Sequence, residues 1–175
     1  LVHHMGEEKQ ALEQVRRNVD VWSKEMTKGP VDAIIINASG CGTTVKDYGH
    51  MLRLDPGYAE RAAKISSLTR DITEFLAEYD LGPPVRWSSL RVAYHSACSL
   101  QHGQRITDEP KALLANAGFS VVAPPEGHIC CGSAGTYNIM QPELAGELRT
   151  RKVKNIRSVK PDVVAAGNIG CITLL

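Results

Sequence analysis

The chain has 175 residues, of which 43% are apolar, 22% charged and 5% aromatic, and its formal net charge is +1. That is enough sequence for one globular domain, or two small related halves, to bury a core. Near-neutral charge argues against a general nucleic-acid or anionic-membrane surface, and the scarcity of aromatics weakens base stacking.

Residues 7–26 predict a helix, with Leu12, Val15, Val19 and Trp22 at helical spacing and Glu7 and Glu8 in the first turn. Gly29-Pro30 ends it, and Val31 to Asn37 predicts a strand buried on both faces, as in a parallel sheet. A second helix is expected over 58–79, where Ala62, Ile65, Leu68, Ile72, Phe75 and Leu76 form an apolar stripe. Gly82-Pro83-Pro84 marks a linker. Beyond it come a strand at Arg91–His95, a short helix near 108–117, a strand at Phe119–Ala123, a helix over 142–159 and a strand at Asp162–Ala166. Strand and helix alternate, so the expected fold is α/β, a mainly parallel sheet flanked by helices. No apolar run approaches the length of a membrane span, and no secretory leader is visible at Leu1. The chain also lacks an initiating methionine, as a fragment would.

Cysteine is the most informative residue type. Five are present, an odd number that favours metal or redox use in a reducing compartment over a disulfide framework. Thirty-one residues separate Cys98 from the Cys130-Cys131 pair, which Gly132 follows, and thirty-nine separate that pair from Cys171. Adjacent cysteines would point to opposite faces of a strand, and a disulfide between them would be strained. In a loop beside glycine, both thiolates can turn toward one soft metal centre. Cys41, Cys98 and Cys171 each follow the carboxyl end of a predicted strand, and Cys130-Cys131 lies in a loop after another. Ligand sites of open α/β sheets gather at that edge.

The segment Asp32–Cys41 parallels Asp162–Cys171, each preceded by an amphipathic helix. A helix–strand–Gly–Cys unit therefore occurs twice, and the expected organisation is two pseudo-repeated halves, 1–82 and 83–175, with the first truncated before its own cysteine pair.

The segments Asn37–His50, Ala93–Gln104, Gly127–Asn138, Gln141–Glu143 and Gly167–Cys171 together resemble the cysteine-rich CCG family, most of all its glycolate-oxidase iron–sulfur type. The resemblance runs over almost the whole chain. Subunits of that type usually carry an amino-terminal ferredoxin-like region with two [4Fe-4S] clusters. This chain has no Cys-x-x-Cys-x-x-Cys run, so it looks like the carboxyl-terminal portion alone. Leu174 stands where some relatives have a further cysteine.

The resemblance implies an iron–sulfur cluster of [4Fe-4S] type, non-cubane in relatives with the full motif, on Cys98, Cys130, Cys131 and Cys171. Cys41 is either a fifth ligand or the orphan of a missing first-half site. It further implies an electron-transfer subunit that takes electrons from an FAD-containing glycolate oxidase subunit and passes them, with other subunits, toward quinone. Its place would be cytoplasmic or peripheral at the inner face of the cell membrane, without insertion and without nucleic acid. Two alternatives stay open: thiol or disulfide reduction at a non-cubane cluster, as in heterodisulfide reductase relatives, and a zinc-bound or metal-free assembly module. Around the cysteines, Gly132, Gly135, Gly40, Gly42 and Gly170 either aim amides at sulfur or serve turns. His95 and His128 are hydrogen-bonding neighbours of the cluster or ordinary loop histidines, the latter being the default. The basic residues Arg149, Arg151, Lys152, Lys154, Arg157 and Lys160 form a solvated helix face by default, or a dock for an acidic flavoprotein.

Overall fold

The computed structural model describes residues 2–84 and 88–175. After a short 3-10 turn at Val2–Met5, helix α1 (Glu8–Met26) presents Ala11, Val15 and Val19 to the interior. Val15 and Val19 pack with Val45, Tyr48, Leu52, Ala62 and Ile65, and Leu12, Trp22 and Met26 close the cluster from its edge. Burying each of these aliphatic side chains stabilises the fold by about 1.5–3 kcal/mol relative to leaving it exposed. Trp22 stacks on Tyr48 with ring centroids 6.1 Å apart, and Asn18 Nδ2 donates to the Tyr48 hydroxyl at 2.8 Å, so α1 is fixed in rotation as well as position.

Strand β1 (Ile34–Ile36) is shorter than the expected segment, and Ile35 is exposed, so it is not buried on both faces. Among the described residues it has one strand partner, β2 (Thr69–Asp71), in parallel register with Ile35 opposite Arg70. The helix expected over 58–79 is interrupted by that strand. Helix α4 (Ala59–Leu68) stops, β2 follows, and α5 (Ile72–Ala77) begins. The break is a capping box: Asp71 accepts from Thr73 N, while Glu74 reaches back to the Asp71 amide. An Asp-x-x-Glu sequence starts a helix, and here it overrides a continuous apolar stripe. Between β1 and α4 lie α2 (Ser39–Lys46) and α3 (Tyr48–Met51).

The second sheet has strand order β4-β3-β5, all parallel: β3 (Arg91–His95) lies between β4 (Ser120–Val122) and β5 (Val163–Ala166). Its connections are a π-helix (Ser99–Gln104) with α6 (Glu109–Asn116), then α7 (Tyr137–Met140) with α8 (Pro142–Ser158). Helix α9 (Ile169–Leu174) follows β5. The expected α/β fold with parallel strands flanked by helices is present, divided between two small sheets.

A polar seam joins the sheets. Ser39 Oγ lies 2.8 Å from Ser99 Oγ, and Asn168 Nδ2 donates to both hydroxyls, at 3.1 and 3.3 Å. Ser39 N donates to the Gly167 carbonyl at 3.0 Å, and Gln104 Nε2 to the Ser39 carbonyl at 3.0 Å. Residues from the starts of α2, the π-helix and α9 thus meet at one point. Among the described residues, no helix is long and apolar enough to cross a membrane.

Candidate metal centre

Each strand of the three-stranded sheet delivers cysteine beyond its carboxyl end. Cys98 stands just before the π-helix after β3, Cys130 and Cys131 lie in the loop after β4, and Cys171 sits in the first turn of α9 after β5. The register pairs His95 with Ala166, which brings the ends of β3 and β5 level. Cys131 is fully buried and Cys171 nearly so, packed with Ala97, Leu100 and Ile106, while Cys98 and Cys130 are half-buried. Gln101 Nε2 donates to the Gly127 carbonyl at 3.3 Å, tying the π-helix to the loop of the cysteine pair.

The four thiols act on one another. Cys130 is the main cause that pushes the Cys98 thiol far up, with burial next. Cys131 is pushed up first by Cys130 and then by Cys171. Conversely, Cys130 is drawn far down, first by Cys131 and Cys98 and further by the Gly132 and Ala134 amides. Cys171 is drawn down by Cys131, with His95 assisting against the opposing effect of burial. A soft metal bound to these groups would displace their thiol protons.

The donor set fits such a metal. Cys131 and Cys171 pack among Ala97, Leu100 and Ile106, and Gly132 N donates to Cys130 Sγ at 3.3 Å. His95 Nε2 is buried with no hydrogen-bond partner among the described residues. A ring nitrogen of His95 and the sulfurs of Cys131 and Cys171 all lie within 4.8 Å of one another. Thiolates with amide donors and low solvent access are the surroundings in which iron–sulfur clusters are held.

Cys41 is exposed on α2. His128 is exposed, and its carbonyl faces His102 Nε2 at 3.2 Å, as an ordinary loop residue would. His95 departs from the loop-histidine default, because it is the last residue of β3 and only 2% exposed. Of the glycines, Gly132 directs its amide to sulfur. The Gly170 amide instead donates to Asn168 Oδ1 at 2.9 Å, capping α9, and Gly135 has positive φ with open space around it, as a turn requires. Tyr94 is buried beside the site with an unpartnered hydroxyl, pushed up to about 12 by burial and then by Asp71 and Cys171. Tyr137 is exposed and Asn138 half-buried.

The basic face of α8 also needs correction at one residue. Arg149, Arg151, Lys154, Arg157 and Lys160 are exposed, but Lys152 is 2% exposed. Its Nζ donates to the Glu126 carbonyl at 2.8 Å, and its charge acts on Cys98. Burial draws Lys152 down from its ordinary value, while Cys98, Cys131, Cys130 and Glu126 oppose that. The signal was present in the sequence: Ala145, Lys152 and Ile156 share one face at spacings of seven and four, and all three are buried. A lysine on an apolar face beside thiols is a counter-charge for them.

Glu126 clamps the loop to the same helix. It takes a positive φ of 53°, and its carboxylate accepts from Arg151 Nε at 2.8 Å and Asn155 Nδ2 at 2.7 Å. These bonds draw the carboxyl down to about 2 from an ordinary 4.5. Because the folded value lies below the unfolded one, ionised Glu126 contributes stability above pH ~4.5, and the contribution is lost as pH falls toward ~2. The melting temperature of wild type relative to Glu126→Gln is therefore expected to be higher near neutral pH and to converge on the variant's as pH falls below about 4. A gap that stays constant across a pH series would remove the clamp.

Residues 92–175 match the family model described as a cysteine-rich domain, CCG. Among curated proteins, the chain is similar to the glycolate oxidase iron-sulfur subunit of Escherichia coli (strain K12), with 39% identity over 99% of the chain and 42% of that protein. It is similar to the probable glycolate oxidase iron-sulfur subunit of Bacillus subtilis (strain 168), with 29% identity over 97% of the chain and 38% of that protein. Lactate utilization protein A of Geobacillus thermodenitrificans (strain NG80-2) matches at 27% identity over 85% of the chain and 64% of that protein. The chain thus spans less than two thirds of the length of each of these relatives.

Proposed function

We propose that this chain is the cluster-binding portion of an iron–sulfur subunit in a complex that oxidises a 2-hydroxy acid, glycolate being the favoured substrate. Cys98, Cys130, Cys131 and Cys171 would hold a cluster of [4Fe-4S] type, which supplies one-electron transfer when bound. What supports this is the placement of these four cysteines, scattered in sequence, beyond the carboxyl ends of three neighbouring parallel strands. The similarity to glycolate oxidase iron-sulfur subunits and to a lactate utilization protein supports the substrate class.

In this scheme the substrate is oxidised on a separate FAD-containing subunit, and electrons pass through this subunit toward quinone. The chain's own residues would bind the metal, exclude water through Ala97, Leu100 and Ile106, and stabilise thiolate charge with the Gly132 amide and Lys152. Residues 1–82 and 83–175 would be related halves. The β1–α2 unit that carries Cys41 corresponds to the β5–α9 unit that carries Cys171, and Cys41 would be the remnant of a first-half site. Any membrane association would be peripheral, through the complex.

Anaerobic reconstitution of the 175-residue chain, with iron and sulfide quantification and EPR of the reduced sample, tests the assignment. Stoichiometric iron and sulfide with a cluster signal are expected. Zinc retained to the exclusion of iron would overturn it. Lys152→Met, which keeps the length of the side chain and removes its charge, is expected to lower the cluster's midpoint potential by on the order of 50 mV, since a nearby cation favours the reduced, more negative state. Redox titration followed by EPR measures the shift, and an unchanged potential would show that Lys152 serves packing alone.

A further inference from the structure

We propose that His95 is itself a ligand of the metal centre, so that the site is a mixed sulfur–nitrogen one built on Cys98, Cys130, Cys131, Cys171 and His95. The inference deepens the assignment above and rests on it for the identity of the metal, though not for the presence of one. Three observations point to it. His95 is 2% exposed, and its Nε2 has no hydrogen-bond partner among the described residues. A buried polar atom left unpaired is costly, and folded proteins seldom tolerate one without a partner such as water or a metal ion. Next, a ring nitrogen of His95 lies within 4.8 Å of both Cys131 Sγ and Cys171 Sγ, which themselves lie within that distance of each other. Three donors this close together can reach one metal centre with small side-chain movements. Finally, His95 is placed by the sheet rather than by a loop. It ends the central strand and pairs in register with Ala166, five residues before Cys171, so its ring is delivered to the same edge as the thiols.

The chemistry is consistent with the neighbours. Neutral imidazole is a borderline donor that suits iron and zinc alike. Among the described residues, the other candidate for an additional ligand is Cys41, which is exposed, whereas His95 is buried.

The test uses the full 175-residue chain with two metals. In the first arm, chain labelled with 15N-histidine is reconstituted anaerobically with iron and sulfide, reduced, and examined by pulsed EPR. A directly bonded nitrogen is expected, and it should vanish in His95→Gln while the circular dichroism spectrum and melting temperature stay within the wild-type range. In the second arm, the metal-free chain is titrated with cobalt(II) alone. X-ray absorption should show nitrogen together with sulfur in the first coordination shell, and His95→Gln should weaken cobalt binding about 10–100-fold. An all-sulfur shell in both arms, with wild-type iron content, overturns the inference and leaves the iron–sulfur assignment standing. Failure of the cluster to assemble, combined with cobalt binding that depends on His95, does the reverse. If His95→Gln does not fold, nitrogen coupling in the labelled wild-type chain and the wild-type cobalt shell decide the matter without it.

Discussion

Replacing Cys131 with serine is expected to abolish cluster assembly, with iron and sulfide after anaerobic reconstitution falling below about a tenth of the wild-type content. The substitution is nearly isosteric, so lost chemistry rather than lost volume is responsible. Serine does not ionise at neutral pH and is a hard donor, whereas iron–sulfur clusters are held by soft thiolates. Cys131 is the appropriate residue to remove because it is fully buried and its sulfur lies within 4.8 Å of Cys171 Sγ and of a ring nitrogen of His95. Cys41→Ser, on the exposed face of α2, provides the contrast and should load like wild type. Thermal melting of the metal-free proteins separates misfolding from lost ligation. Wild-type iron in a folded Cys131→Ser protein would dismiss these four sulfurs as the ligand set.

The other large effect is expected at Gly132. It has φ of +98°, and a Cβ added there would lie 2.5 Å from the Ala145 carbonyl oxygen and 3.3 Å from Ala145 Cα. Both contacts are with the backbone of α8, which cannot step aside as a flexible side chain could. Gly132→Ala therefore combines unfavourable backbone conformation with a clash, and a loss of roughly 2–4 kcal/mol in folding stability is expected. Displacing the loop would also move the amide that donates to Cys130 Sγ. Gly135 is the control: its φ is +66°, but nothing lies within 4 Å of an added Cβ, so Gly135→Ala should cost only about 1 kcal/mol. Chemical denaturation of the three proteins measures the difference. Equal stabilities for the two alanine variants would show that the loop and α8 separate freely.

How far the sequence could be read depended on the range of the interactions involved. The carboxyl-terminal strands were legible because β-branched runs such as Val163–Val164 lie between turn residues, and the same pattern located the cysteines at one sheet edge. The Asp71–Glu74 capping box is a local signal too, but the apolar stripe on either side of it masked the break between α4 and α5. Ile35 was misjudged because its exposure depends on how many strands join β1, a property of the whole sheet. Lys152 and His95 were underweighted for a related reason. Side-chain type suggested solvent for the first and a loop for the second, while packing placed both against the thiols. The helices following Ala38, Cys98 and Asn168 were not distinguished from loops, since short helix starts rich in serine, glycine and cysteine have little intrinsic preference.

The pairing of β5 with β3 has a consequence for the order in which the protein matures. Val92 to His95 wait for Val163 to Ala166, and until those residues join, Cys171 has no fixed place beside Cys131. A nascent chain that has made only the first two strands of this sheet can offer thiols, but not the finished cage. If these cysteines hold the inorganic component, its insertion would follow closure of the sheet, and a lesion that merely delays that closure would lower loading without altering a ligand.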